Sequence, residues 1–170
     1  MDTSTLLVEA FRRIPELVHG ACDGLDAEGL AYRPEPGANS IAWLVWHLSR
    51  VQDDHVAEIT GMDPVWADRV WAERTGIDRD VTATGFGDTP DDVVAVVPES
   101  SEALVAYHTA VAERTMEYLG GVDASELDRI IDRSYDPPVS VGVRLISVIS
   151  DNLQHAGQAR YLRGTIERLR

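Results

Sequence analysis

Apolar residues recur at helical spacing in four long stretches of the chain, and segments rich in glycine and proline separate these stretches. Residues three or four positions apart lie on one face of a helix, so each stretch presents a single apolar stripe. The pattern predicts helices over residues 3–24, 40–60, 98–119 and from 139 or 140 to about 169. Pro15 falls inside the first helix, which should therefore be kinked or built in two parts.

The second predicted helix has clear boundary signals, and a long connection follows it. Ser40 is a good N-cap, and Gly61 stands where a helix usually ends. Residues 61–97 then connect the second and third helices, with short helices predicted around 64–74 and 89–96. A connection of this length usually has a function, often that of covering a site. The pattern therefore predicts an all-α fold, a four-helix bundle with a long crossover between helices 2 and 3.

Composition narrows the class of protein further. The chain has 170 residues, 44% hydrophobic and 26% charged, which fits one globular domain over 1–170. Its formal net charge of −14 argues against nucleic acids and anionic membranes as partners. No apolar run reaches the roughly 18 residues of a membrane span. The single cysteine, Cys22, fits a small buried hydrophobic residue in a reducing compartment, and we expect a cytoplasmic protein.

The fourth predicted helix carries the first candidate chemistry. Asp151 and His155 lie four residues apart, and Gln158 follows three residues later on the same face. Apolar neighbours indicate that this face of the helix packs against a core. Burying an ionisable group there is unfavourable unless the group is paired or binds a metal. Asp151 and His155 could form a salt bridge along the helix. Alternatively, they could be two ligands of a divalent metal. Gln158 is a candidate to support a ligand or to contact the substrate.

His47 offers a third ligand from the second helix. It lies in an apolar run and shares a face with Trp43, Arg50 and Asp54. Alone, His47 fits a core histidine that is hydrogen-bonded to a neighbour. Together with the Asp/His pair it would complete a set of two histidines and one carboxylate, which leaves coordination positions open for water or substrate. Trp43 is then a candidate pocket wall, and Asp54 could orient a ligand or pair with Arg50.

Other polar residues are assigned to the surface. His19 and His108 have polar neighbours in sequence, which predicts that both are exposed. Residues 53–55 fit a solvated acidic patch, and Arg144 fits a surface salt bridge or a contact to an anionic substrate.

Three segments resemble a known family. Residues 39–55 (NSIAWLVWHLSRVQDDH) resemble the second-helix motif of the DinB-like superfamily. Residues 151–164 (DNLQHAGQARYLRG) resemble its fourth-helix motif, including the frequent His-x-Gly-Gln ending. Residues 84–90 (TGFGDTP) are similar to the middle connection of an actinobacterial branch described as mycothiol transferases. The similarity spans nearly the whole chain, and the absence of lysine fits an actinobacterial source.

The resemblance implies a bundle in up-down-down-up order, often a homodimer, that binds zinc or, as a second choice, nickel. In the family one histidine of the second helix and a His-x-x-x-His pair of the fourth hold the metal. His47 and His155 match this pattern. Asp151 stands where the family has the first histidine of the pair, and a carboxylate is a harder ligand than an imidazole.

The activity implied is a metal-dependent thiol S-transferase. Such an enzyme joins a low-molecular-weight thiol, here mycothiol, to a small electrophile in detoxification. The same open metal position also fits a metal-dependent hydrolase or isomerase. A non-catalytic metal- or ligand-binding bundle with a degenerate site is the third alternative.

Overall fold

The computed structural model describes residues 2–169 as a helical bundle with one small hairpin. Met1 and Arg170, the ends of the predicted 1–170 domain, lie outside the described residues. In chain order the elements are α1 (Thr3–Cys22), α2 (Ala27–Ala31), α3 (Ile41–Thr60), a 3₁₀ turn (Val65–Ala67), α4 (Val70–Thr75), α5 (Pro90–Val94), α6 (Ser101–Leu119), α7 (Ala124–Leu127), β1 (Ile130–Asp132), β2 (Val139–Ser140) and α8 (Val141–Leu169).

The long helices α1, α3, α6 and α8 are the four that the apolar pattern predicts. Ser40 caps α3 by accepting a hydrogen bond from the amide three residues later, and Gly61 ends it with φ +70°, both as predicted. The start of α1 agrees with the prediction, and the start of α6 differs from it. Asp2 caps α1, and Ser100 caps α6, which begins later than the predicted start at Pro98.

Pro15 lies inside α1, which runs without interruption, so the two-part helix is wrong. A proline removes one hydrogen bond from the helix interior, but packing of the apolar face supplies most of a helix's stability. Here Phe11, Ile14 and Val18 bury that face on both sides of the proline.

Contacts between helix ends give the directions of the four helices. Three contacts decide the directions. The first two each join the start of one helix to the end of another, and the third joins the C-terminal halves of two helices. They are Ser4 with the carbonyl of Leu119, Arg144 with Glu58, and Arg160 with the carbonyl of Gly20. Helix α1 therefore runs antiparallel to α6 and parallel to α8, while α3 runs antiparallel to α8. This is the up-down-down-up order, and the fold prediction is confirmed.

The connection between α3 and α6 folds back onto the bundle instead of forming a separate unit. Its short helices lie close to the predicted ones, and the side chains of Trp66 and Trp71 pack into or against the core. Trp66 packs edge-on against Trp46, at 6.2 Å between ring centroids, and against Tyr107, at 4.8 Å. The hairpin of β1 and β2 and the short helices α2 and α7 were not predicted. No helix within residues 2–169 is long and apolar enough to cross a membrane.

An ion pair lies inside the core, where the pattern predicted a solvated patch. Arg50 and Asp53 are both about fully buried, at 0% and 1% exposure. The Asp53 carboxylate accepts hydrogen bonds from Arg50 Nη1 (2.9 Å), from the Tyr107 hydroxyl (2.9 Å) and from the amides of Val65 (2.7 Å) and Trp66 (2.9 Å). The surface assignment of Asp53 is therefore wrong, because the connection covers this face of α3.

His108 is buried as well, at 1% exposure, so its predicted exposure is wrong. It lies on the face of α6 that meets α3, where its Nδ1 is 3.0 Å from Ser49 Oγ. Its Nε2 has no hydrogen-bond partner among the described residues. Burial lowers the pKa of His108 from 6.5 to about 4, so this side chain is neutral at physiological pH. His19, by contrast, is exposed as predicted.

Candidate metal centre

Three potential metal ligands converge where α3 crosses α8. Asp151 Oδ1 is 4.0 Å from His47 Nε2 and 3.5 Å from His155 Nε2. One ligand atom from each residue lies within 4.8 Å of the other two. The side chain of His47 is 6% exposed, whereas those of Asp151 and His155 are 31% and 20% exposed. The group is therefore sheltered on the α3 side and open to ligands on the α8 side.

Contacts from the long connection hold His47 in one orientation. Its Nδ1 lies 2.6 Å from the carbonyl oxygen of Thr84, which can only accept a hydrogen bond. Nδ1 therefore carries the proton, and Nε2 has a free lone pair on the side of Asp151. The ring also stacks on Trp43, with centroids 4.6 Å apart and planes within 10°. Gly85 packs so closely that a Cβ there would lie 2.8 Å from Nδ1.

Gln158 holds His155 in a similar way. Its Oε1 lies 2.8 Å from His155 Nδ1 and accepts the proton of that nitrogen. Both histidines thus donate through Nδ1 and leave the lone pair of Nε2 free for a metal. Metal-binding histidines are commonly fixed by such a hydrogen bond on the nitrogen that does not coordinate.

The Asp151 carboxylate has an unused oxygen. Its Oδ2 is buried and has no hydrogen-bond partner among residues 2–169. A buried carboxylate oxygen without a partner is costly, and a cation between the three side chains would satisfy it. This orphaned atom and the two directed imidazole lone pairs fit a divalent metal.

The two histidines differ in pKa. Burial lowers the pKa of His47, although the Thr84 carbonyl opposes the shift. The hydrogen bond to Asp151 raises the pKa of His155, and burial opposes that shift. In the absence of a metal, His155 is therefore the histidine that takes up a proton first as the pH falls.

The connection, which was expected to cover a site, reaches this one through residues 81–88. Arg50 does not contact the ligands; it donates to the carbonyls of Val81 (2.6 Å) and Ala83 (3.1 Å), next to the residue that holds His47. At the other end of the segment, Asp88 accepts a hydrogen bond from Trp43 Nε1 (2.8 Å) and pairs with Arg79 (2.6 Å). Residues 81–88 are thus tied to α3 at both ends and form one wall of the site.

Asp54 does not pair with Arg50, the partner that was predicted for it. Arg50 pairs with Asp53, so the expected pairing with Asp54 is wrong. The charge of Asp54 acts instead on His55, whose pKa is lowered by burial and is partly restored by nearby carboxylates. Arg144 bridges Glu58 (3.2 Å) and Asp132 (3.4 Å), in agreement with the predicted salt bridge.

Comparisons with known proteins show the family of the chain. The model of the mycothiol-S-transferase family matches residues 6–168. The chain belongs to this DinB-like family. A crystal structure of a conserved protein of a locus from Enterococcus faecalis superposes with a TM-score of 0.88 at 29% sequence identity, over 96% of each chain. No curated protein matches the chain.

Proposed function

We propose that this protein is a divalent-metal-dependent S-transferase that joins mycothiol to a small electrophile, with zinc as the first choice of metal and nickel as the second. The observation that carries the proposal is the convergence of His47, Asp151 and His155, whose ligand atoms lie within 4.8 Å of one another. Membership of the mycothiol-S-transferase family supports the choice of thiol.

The donor set suits the proposed metals. Imidazole nitrogens are common ligands of zinc and nickel, and three protein ligands leave a position open for a substrate. When bound there, the metal would supply Lewis acidity that lowers the pKa of a coordinated thiol and so favours the thiolate near neutral pH. Asp151 contributes one negative charge, which would offset part of the positive charge of the metal.

The remaining residues of the site are suited to orienting the two imidazoles and to excluding water. Thr84 and Gln158 hold the two imidazoles so that both Nε2 atoms face the same point. Trp43 covers the His47 ring and is itself pinned by Asp88, which gives the pocket a rigid apolar wall. The nucleophile is then the co-substrate thiol and not Cys22, because burial raises the pKa of that thiol to about 12.

Metal content is the first test. The purified protein should retain about one zinc or nickel ion per chain by elemental mass spectrometry. His47→Ala and His155→Ala should each lose most of that metal while keeping the helical circular dichroism spectrum. His19→Ala is the matched control, because His19 is an exposed histidine on α1. Metal that stays bound in both site variants would refute the ligand assignment.

The activity test follows on the loaded protein. Mycothiol and an electrophile such as 1-chloro-2,4-dinitrobenzene should give the thioether only when metal is present. Hydrolysis or isomerisation of test substrates without thiol consumption would instead support the hydrolase or isomerase alternative. Bound metal without turnover of any substrate would favour a non-catalytic binding protein.

A further inference from the structure

A groove of about 630 Å³ lies beside the metal centre, between α8 and the segment that precedes α3. We call it the amide groove, because three side-chain amides line it. Its lining residues are Pro34, Gly37, Ala38, Asn39, Leu44, Gln154, Gly157, Gln158, Tyr161 and Leu162. Its volume lies in the range of pockets that hold small ligands.

The groove and the candidate metal centre share one residue, Gln158. Gln158 lines the groove and also holds His155, since its Oε1 accepts the proton of His155 Nδ1 at 2.8 Å. The oxygen of this amide is engaged, so its NH2 group is the end available to a ligand. A molecule bound at the metal through one end can therefore extend past Gln158 into the groove.

The lining has a chemistry that differs from the rest of the surface. The chain carries a net charge of −14, yet none of the described residues that line the groove is charged. Asn39, Gln154 and Gln158 provide amides, which both donate and accept hydrogen bonds. Tyr161 is 72% exposed and offers an aromatic face at the same site. Groups of this kind match an uncharged ligand with many hydroxyls, because a hydroxyl also donates and accepts.

We propose that the amide groove binds the uncharged, hydroxyl-rich body of the thiol co-substrate, while its thiol arm reaches the metal centre. This proposal rests on the proposed function and adds to it the subsite that selects the thiol. A charged thiol without such a body would gain nothing from the groove, since the groove holds no counter-charge. The electrophile then approaches from outside the groove.

Gly157 provides the means to block the groove without touching a ligand of the metal. A Cβ at this position would meet no atom within 4 Å, so a side chain there projects into open space. Gly157→Ala should fold at least as well as the wild type, because alanine favours a helix interior more than glycine does. Gly157→Leu should fill part of the groove. Comparing these two variants separates the effect of side-chain volume in the groove from the effect of replacing the glycine.

The binding experiment uses N-acetylglucosaminyl-inositol, which carries the hydroxyl-rich body of mycothiol but no thiol. Calorimetry on the metal-loaded protein should show that it binds to the wild type and to Gly157→Ala. Tyr161→Ala should weaken binding by about ten-fold, and Gly157→Leu should weaken it further. Tyr135→Ala is the matched control, because Tyr135 is an exposed tyrosine in the turn between β1 and β2. All variants must retain the metal content of the wild type.

No binding to the wild type, or equal binding to Gly157→Leu, would overturn the groove assignment. A kinetic comparison with N-acetylcysteinamide, which has the thiol arm without the body, adds a second readout. Gly157→Leu should raise the KM for mycothiol and leave the KM for this short thiol unchanged. If both thiols respond equally, the groove proposal fails while the transferase stands. If the probe binds but neither thiol is consumed, the transferase fails while the groove stands.

Discussion

The buried histidine of α6 makes the stability of the bundle depend on pH in a way that one substitution can isolate. His108 is 1% exposed, and among residues 2–169 it hydrogen-bonds only through Nδ1, to Ser49. Burial lowers its pKa from 6.5 to about 4, so the folded chain excludes a proton that the unfolded chain accepts. The free energy of unfolding is therefore not reduced by His108 above pH 6.5, and it falls as the pH decreases from 6.5 toward 4.

The size of this effect follows from the two pKa values. A pKa of about 4 in the folded chain and 6.5 in the unfolded chain corresponds to a loss of about 3 kcal/mol once both states are protonated. At pH 5 most of the change is already present, about 2 kcal/mol. That is a large share of the roughly 5–15 kcal/mol by which domains are stable.

His108→Asn tests this reasoning, because an asparagine stays neutral and can still donate to Ser49. We expect the variant to be less stable than the wild type at pH 7.5, since it leaves a cavity. The difference between the two free energies of unfolding should then move by about 2 kcal/mol in favour of the variant between pH 7.5 and pH 5. Urea unfolding with a chelator present removes any contribution of the metal site. A difference that stays constant with pH would refute the reasoning. His19→Asn, at an exposed position, is the matched control.

Three further predictions concern the site and its supports. Asp53→Ala leaves a buried guanidinium uncompensated and should lower the free energy of unfolding by about 3–5 kcal/mol in urea titrations; a loss below about 1 kcal/mol would contradict the buried ion pair. Gly85→Ala must place a Cβ 2.8 Å from His47 Nδ1 with φ at +92°, so zinc affinity in a chelator competition should fall about ten-fold. Zinc affinity should also fall as the pH drops through the raised pKa of His155, which the hydrogen bond to Asp151 elevates, because a protonated imidazole cannot coordinate; a constant affinity between pH 8 and 6 would argue against His155 as a ligand.

The four long helices could be predicted because each carries an apolar stripe, and α3 also carries local capping signals. Ser40 and Gly61 act through the backbone of their own helix, so their effect can be recognised without a tertiary structure. The hairpin of β1 and β2 has no such local signal. Its strands contain three and two residues, too few for a period of two to be recognised. It depends on neighbours that the fold brings together.

Buried polar residues were the main source of error. A polar residue inside the core and one on the surface look alike in a hydrophobic pattern, so Asp53 and His108 were both assigned to solvent. Burial of Asp53 depends on donors from Arg50, Tyr107 and two backbone amides, of which only Arg50 is close to it in sequence. The pairing therefore becomes evident only when the connection is folded onto α3.

The candidate site also contains features that local sequence predicts and one that depends on a distant contact. His47, Asp151 and His155 could be singled out because helix periodicity places each on an inward face, and the antiparallel contact of α3 and α8 brings those faces together. The group that orients His47 could not, because it is the backbone carbonyl of Thr84, and a carbonyl has no sequence signature. Arg50 supports that carbonyl from nearby, because its guanidinium donates to the carbonyls of Val81 and Ala83. Ala83 directly precedes Thr84 in the chain. The long crossover is therefore part of the candidate metal centre, and the buried ion pair of Arg50 and Asp53 anchors the segment that orients His47.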